Sequence, residues 1–180
     1  PIYDSHLFIQ ELCQYPGVTV KFLPMNEETT ISFSAFVDCY QYCDKKTDAT
    51  KTKTVELRFL DSLRFMNSSL DYLAKNITNH THLETLPYKD VELLKRKGIY
   101  PYEYFTSLER YSETKLPPKE AFYSTLKGDT VSDEDYQLAQ QVWDFYNVKD
   151  LMEYTLLYLE TDILHLTDVF ESFRDTCLTT

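Results

Sequence analysis

The spacing of the apolar residues changes once along the chain, and this change constrains the fold more than any other feature. Between residues 18 and 59, apolar and polar side chains alternate in three short runs, which is the period of half-buried β-strands. From residue 68 onward, apolar side chains recur three or four positions apart, as they do on one face of an α-helix. Strands followed by helices predict an α+β fold.

Turn residues predict how the strands are connected. A polar turn at residues 26–28 joins the first two strands as a β-hairpin, and residues 45–53, rich in lysine and threonine, are expected to form a loop before the third strand. A short amphipathic helix precedes the strands, with Asp4 at its N-terminal end and Pro16-Gly17 after it.

The remaining two thirds of the chain is predicted to be mostly helical. Capping residues and prolines place the helix starts near Ser68 or Ser69, Asp90, Pro117-Pro118, Ser132 and Asp150. Gly98 and Gly128 are expected to end the second and third of these helices. The last helix is predicted to be long and to reach about Cys177.

Composition limits the class of protein. A chain of 180 residues with 43% hydrophobic side chains can bury one sizeable core, so a single domain over residues 1–180 is predicted. No apolar run approaches the roughly 20 residues that span a bilayer, and no signal-peptide pattern follows Pro1, so no membrane partner is expected. The four cysteines fit neither a disulfide scaffold nor a zinc site. A net charge of −11 argues against binding of duplex DNA by this chain without a partner.

Tyr158 and Asp162 form the sharpest local chemical pattern, because they lie one turn apart on the last predicted helix and so share a face. Two-metal phosphodiester hydrolysis needs carboxylates to hold the ions and a group that orients the attacking water. A Tyr and an Asp could supply one of each. Taken alone, such a pair is more often an ordinary pair on a helix surface.

Three longer segments resemble the exonuclease domain of the protein-primed family B DNA polymerases of phages, adenoviruses, linear plasmids and self-replicating transposons, and the resemblance extends over nearly the whole chain. The segments are Tyr3-Asp4-Ser5-His6-Leu7-Phe8-Ile9, Lys97-Gly98-Ile99-Tyr100-Pro101-Tyr102-Glu103-Tyr104 and Tyr158-Leu159-Glu160-Thr161-Asp162-Ile163-Leu164. The resemblance implies a partial ribonuclease-H-like fold and a proofreading 3′→5′ exonuclease that acts on single-stranded DNA.

The resemblance also implies roles for the catalytic residues. Asp4 matches the aspartate of the second exonuclease motif, which helps to hold a metal ion, largely through water. Asp162 matches the third-motif aspartate, a direct metal ligand, and Tyr158 matches the tyrosine that positions the nucleophilic water. Two Mg²⁺ or Mn²⁺ ions are the implied cofactors. Without the family, Asp4 could equally be an N-cap residue.

Other matches concern DNA binding. Ser62 and Leu63 begin a segment similar to the family's Ser/Thr-Leu-x-x-hydrophobic motif, which contacts single-stranded DNA and the priming terminal protein. The alternative interpretation is a plain junction between strand and loop. Lys97 resembles the lysine of the family's Lys-x-x-hydrophobic motif near the exonuclease site, and Lys127 is a rival for that position.

The family pattern also has parts that this sequence lacks. The first exonuclease motif, Asp-x-Glu, is expected upstream of Asp4, and the palm, fingers and thumb of the polymerase are expected downstream. The chain alone is therefore expected to be inactive, as a fragment of a DNA-directed DNA polymerase used in replication. The sequence does not specify a compartment. We expect an intracellular location, either nuclear or associated with a viral or transposable element.

Two other functions remain open. One is a catalytically dead relic of a viral or transposon polymerase gene with at most a binding role. The other is a secreted adhesion-like domain, favoured by three clustered glycosylation sequons at Asn67, Asn76 and Asn79, which would need a signal peptide encoded upstream.

Overall fold

A computed structural model of the chain describes residues 5–25, 30–46, 48–88 and 90–179. It divides the chain into two compact units, Pro1–Asn67 and Ser68–Thr180. The first contains a three-stranded antiparallel sheet, and helices dominate the regular structure of the second. The α+β class predicted from the periodicity is therefore confirmed.

The first unit opens with helix α1, Ser5–Gln14, followed by strands β1, Val18–Pro24, β2, Thr30–Asp44, and β3, Ala49–Phe59. The strand order is β1-β2-β3 and both pairs are antiparallel. The three alternating runs thus form the three predicted strands.

The predicted loop at residues 45–53 is wrong, because β2 continues to Asp44 and β3 already begins at Ala49. Tyr42 pairs with Lys51 and Cys43 with Thr50 across the two strands. Threonine is a good strand former, and aromatic side chains stabilise cross-strand pairs, so this segment gains more from pairing than from a loop.

Aromatic packing fixes α1 against the sheet. The ring centroid of Phe8 lies 6.3 Å from that of Phe33 and 5.6 Å from that of Phe59. Phe33 and Phe59, which are cross-strand partners, stack with centroids 4.4 Å apart. Phe33 and its strand neighbour Ala35 are buried, so they form the centre of this unit.

After a single short helix, α2, Leu63–Met66, the second unit contains α3, Leu70–Asn76, α4, Asp133–Phe145, and α5, Leu151–Thr179. The predicted caps are present. The Ser69 hydroxyl accepts a hydrogen bond from the Tyr72 N–H at 3.2 Å, and the Ser132 hydroxyl accepts one from the Asp135 N–H at 3.1 Å. The long final helix is also confirmed.

The prediction of two helices that end at Gly98 and Gly128 is wrong. Short 3₁₀ turns stand in their place, at Glu92–Leu94 and Lys119–Phe122. The Asp90 carboxylate accepts a hydrogen bond from the Glu92 N–H at 2.9 Å, so it closes a local turn and does not start a longer helix. Three further 3₁₀ turns span Leu83–Thr85, Tyr102–Tyr104 and Leu108–Ser112.

The core of the second unit forms around α5. Leu151, Tyr154 and Leu157 on this helix are buried, together with Val142 of α4 and Leu83 of the irregular segment before it. This packing fixes the orientation of α5, and the predicted catalytic residues Tyr158 and Asp162 are half-buried on it. Within the described residues, no helix has both the length and the apolar character that a membrane crossing requires.

Candidate active site

Helix α5 holds the residues 94–99 in place through two buried side chains. The Tyr154 hydroxyl donates a hydrogen bond to the Ile99 carbonyl at 2.7 Å, and His165 Nε2 lies 2.8 Å from the Leu94 carbonyl. A histidine nitrogen facing a carbonyl must donate, so His165 carries its proton on Nε2. These two contacts flank Lys97 and so fix the backbone on both sides of it.

Lys97 lies directly over Asp162. Its Nζ is 2.7 Å from Asp162 Oδ1, and the two side chains are 26% and 30% exposed. The same oxygen has no partner with hydrogen-bond geometry, so the contact is an ion pair by distance without an aligned N–H···O bond.

Lys127, the rival lysine, lies elsewhere. Its backbone N–H donates to the Ser124 hydroxyl at 3.4 Å in the turn that Gly128 closes. Among the described residues, no ion pair joins Lys127 to Asp162. The structure therefore brings Lys97 to the predicted metal ligand.

Tyr158 is enclosed by other tyrosines. Its ring stacks on Tyr100 with centroids 4.9 Å apart, and its hydroxyl oxygen lies 2.8 Å from that of Tyr102. Its ring also passes over Gly98, where a Cβ atom would lie 3.5 Å from Tyr158 Cδ2. Burial raises the pKa of Tyr158 well above its usual range. The phenol therefore stays neutral and keeps its proton.

A small cavity of about 30 Å³ lies beside these groups, lined in part by Tyr158, Asp162 and His165. His165 is fully buried, its Nδ1 has no hydrogen-bond partner, and burial lowers the pKa of its ring below the usual value. Ligand pockets measure several hundred cubic ångströms, so a nucleotide cannot enter this cavity. Any substrate must therefore meet Tyr158 and Asp162 from their solvent-exposed side.

The remaining predicted residues belong to the first unit. Asp4 lies outside the described residues. Ser62 and Leu63 stand at the start of α2, where the Leu63 N–H donates to the Asp61 carboxylate at 3.2 Å and the Leu63 side chain is exposed. The alternative of a simple junction after the strand describes their local structure adequately.

The described residues do not by themselves fit a two-ion centre. No group of three or more His, Cys, Asp or Glu side chains among them is arranged to hold a metal ion. Asp162 offers one carboxylate, and the positive charge of Lys97 already lies beside it.

Sequence reasoning missed three residues of this site, Tyr100, Tyr102 and His165. His165 could have been found, because it follows Asp162 by three positions and therefore lies on the same helix face. Nothing in the sequence distinguishes Tyr102 among 15 tyrosines.

No protein-family model, curated protein or solved structure matches the chain. The functional interpretation therefore depends on the residues and their contacts.

Proposed function

We propose that the chain is part of a ribonuclease-H-like 3′→5′ exonuclease domain from a protein-primed family B DNA polymerase. Its substrate would be the 3′ end of single-stranded DNA, and its partners would include the polymerase domain and the priming terminal protein. The observation that carries the proposal is the grouping of Tyr158, Asp162 and Lys97, which come from two separate matching segments and meet at one place.

Tyr158 is suited to orient a water molecule or a phosphate oxygen. If Tyr102 donates its proton to the Tyr158 oxygen, the proton of Tyr158 is free to form a hydrogen bond to a substrate or solvent oxygen. The raised pKa of Tyr158 keeps that proton in place at any physiological pH. Stacking on Tyr100 restricts the ring to one orientation, and a fixed donor is what transition-state stabilisation requires.

Lys97 and Asp162 would contribute opposite charges to the site, Lys97 for a phosphate group and Asp162 for a cation. Lys97 provides a positive group that can approach a phosphate once Asp162 is engaged elsewhere. Mg²⁺ or Mn²⁺ would be the cofactor, with Asp162 as one ligand.

A second candidate function is a catalytically dead fragment with a binding role. The ion pair between Lys97 and Asp162 favours it, because a carboxylate that is neutralised by a lysine attracts a cation less strongly.

The proposal is tested with the parent protein, encoded by the reading frame that includes upstream Asp-x-Glu and downstream palm motifs. On 5′-labelled single-stranded DNA with Mg²⁺, we expect stepwise shortening from the 3′ end. Asp162→Ala should abolish it, and Tyr158→Phe should slow it by roughly 10²-fold because water positioning is lost. Polymerisation should survive both changes.

Glu160→Ala is the matched control, since Glu160 lies on the exposed side of the same helix. It should cleave at the parental rate. Parental cleavage rates in both site variants would refute the assigned roles. Stop codons or frameshifts in the flanking frame would favour the dead relic.

A further inference from the structure

The tip of the β2–β3 hairpin carries tyrosines and lysines side by side. Tyr40 pairs with Lys53, and Tyr42 pairs with Lys51, across the antiparallel strands. Directly opposed residues project from the same face of a sheet, and so do residues two apart on one strand. The four side chains therefore form one patch, which we call the tyrosine–lysine face.

A β-bulge creates this face. Val37 pairs with Val55, and regular alternation would place Cys39 and not Tyr40 on the same side. The register shifts between Asp38 and Tyr40, while β3 continues without interruption. The extra residue moves Tyr40 and Tyr42 to the side that carries Lys51 and Lys53. Bulges that re-aim side chains in this way occur frequently next to functional sites.

The tyrosine rings are open to contact. Tyr40 is 61% exposed and Tyr42 is 44% exposed, and their ring centroids lie 6.3 Å apart with a tilt of 58°. They are therefore neighbours without being stacked on each other. Each ring leaves a planar surface on which a separate base could stack.

Charge at this tip differs in sign from the rest of the chain. Residues 40–53 contain four lysines and two aspartates, in a chain with 18 basic and 29 acidic residues. Asp44 pairs with Lys51 and also accepts a hydrogen bond from the Lys46 N–H at 2.9 Å, so it serves the turn. Among the described residues, no carboxylate lies within ion-pair distance of Lys53.

We propose that the tyrosine–lysine face binds single-stranded DNA, with bases stacked on Tyr40 and Tyr42 and phosphates beside Lys53 and the turn lysines. Exposed aromatic rings combined with positive charge are how sequence-independent single-strand sites work. A duplex fits poorly, because its bases are already stacked and paired. An acidic peptide would use the lysines but not the flat ring surfaces. The inference goes beyond the proposed exonuclease, since it needs none of the residues on α5.

The test uses the full chain and fluorescence anisotropy of labelled dT12 at low salt, in EDTA so that cleavage cannot interfere. We expect a dissociation constant of roughly 10⁻⁵ M. Duplex of the same length should bind about tenfold more weakly, and rU12 should bind about as well as dT12, because stacking does not read the 2′-hydroxyl. If the parent protein did not cleave DNA but the chain still bound dT12, the proposed exonuclease function would be refuted and the binding proposal would stand.

The variants separate stacking from charge. Tyr40→Ala with Tyr42→Ala should weaken binding about fivefold or more for each ring, whereas the two Tyr→Phe changes should preserve it. Lys53→Ala should reduce the slope of log K against log salt by about 0.7. The matched control is Gln41→Ala with Thr52→Ala, a cross-strand pair on the opposite face, which should leave binding unchanged.

Three results would overturn the proposal: parental affinity in the folded double alanine variant, duplex binding as tight as dT12, or binding of rU12 alone. Circular dichroism establishes that each variant is folded. Should the double alanine variant fail to fold, Lys53→Glu decides the matter, because charge reversal on an exposed strand must weaken DNA binding if the face is used.

Discussion

Asp168 is a buried acidic side chain of the second unit, and Asp168→Asn should destabilise that unit strongly. Its carboxylate is almost fully buried on α5 and accepts hydrogen bonds from the His82 N–H at 2.8 Å and the Leu83 N–H at 3.1 Å. His82 Nδ1 also lies 2.8 Å from it. These contacts attach the 3₁₀ turn Leu83–Thr85 to the helix.

The magnitude follows from which donors lose their partner. The His82 ring is 42% exposed and can turn to water, so its loss costs little. The two backbone N–H groups cannot do so. Each would exchange a charge-assisted bond for a neutral one or for none, at a cost of about 1.5 kcal/mol. The expected loss is about 3 kcal/mol, or about 12 °C in Tm for a unit of this length.

The assay is thermal and urea unfolding followed by far-ultraviolet circular dichroism, with hydrogen exchange of the Leu83 amide as the local measurement. Asp168→Asn should lower Tm and speed that exchange. Asp175→Asn, two turns later on the same helix and exposed, is the control and should cost less than about 0.5 kcal/mol. Equal stability of Asp168→Asn and Asp175→Asn would refute the reasoning.

Three further predictions follow from the second unit. Ser132→Ala should cost about 1 kcal/mol in urea unfolding, because it removes the N-cap of α4, and Ser132→Asp should restore most of it. Burial raises the pKa of Tyr100 to about 12, so the contribution of its neutral phenol to the free energy of unfolding is fully present below pH 10 and is lost between pH 10 and about 12. The free energy of unfolding measured against pH should show this loss, and Tyr100→Phe should reduce it. The chain alone should not degrade single-stranded DNA with Mg²⁺, and metal-dependent cleavage by it would refute the incomplete-site interpretation.

Strands and capped helices could be predicted from the sequence because their signals are local. Alternation specified β1 to β3, and the Ser132 and Asp135 pair specified the start of α4. The segment between α3 and α4 could not be predicted in this way. Its helix-like spacing reflects residues that pack on α5, such as Leu94, while Asp90 closes a turn instead of a helix. Contacts distant in sequence decide such a segment.

In the candidate site, too, local relations could be predicted from the sequence and contacts between distant residues could not. The relation of Tyr158 to Asp162 is a property of helix periodicity and needs no tertiary information. The proximity of Lys97 to Asp162 depends on a fold that brings together residues 65 positions apart. The resemblance suggested Lys97 but left Lys127 as a rival, and periodicity alone could not decide between them. The enclosure of Tyr158 by Tyr100 and Tyr102 was not predicted.

The position of Lys97 depends on α5 rather than on its own segment. Residues 95–100 form no regular helix or strand, and the hydrogen bonds from Tyr154 to Ile99 and from His165 to Leu94 hold the backbone on either side. Both donors lie on the helix that also carries Tyr158 and Asp162, so one rigid element positions the lysine, the phenol and the carboxylate together. Removal of either buried donor would release Lys97 from Asp162 without touching the three side chains themselves. The relative positions of Lys97, Tyr158 and Asp162 thus depend on the buried side chains of Tyr154 and His165.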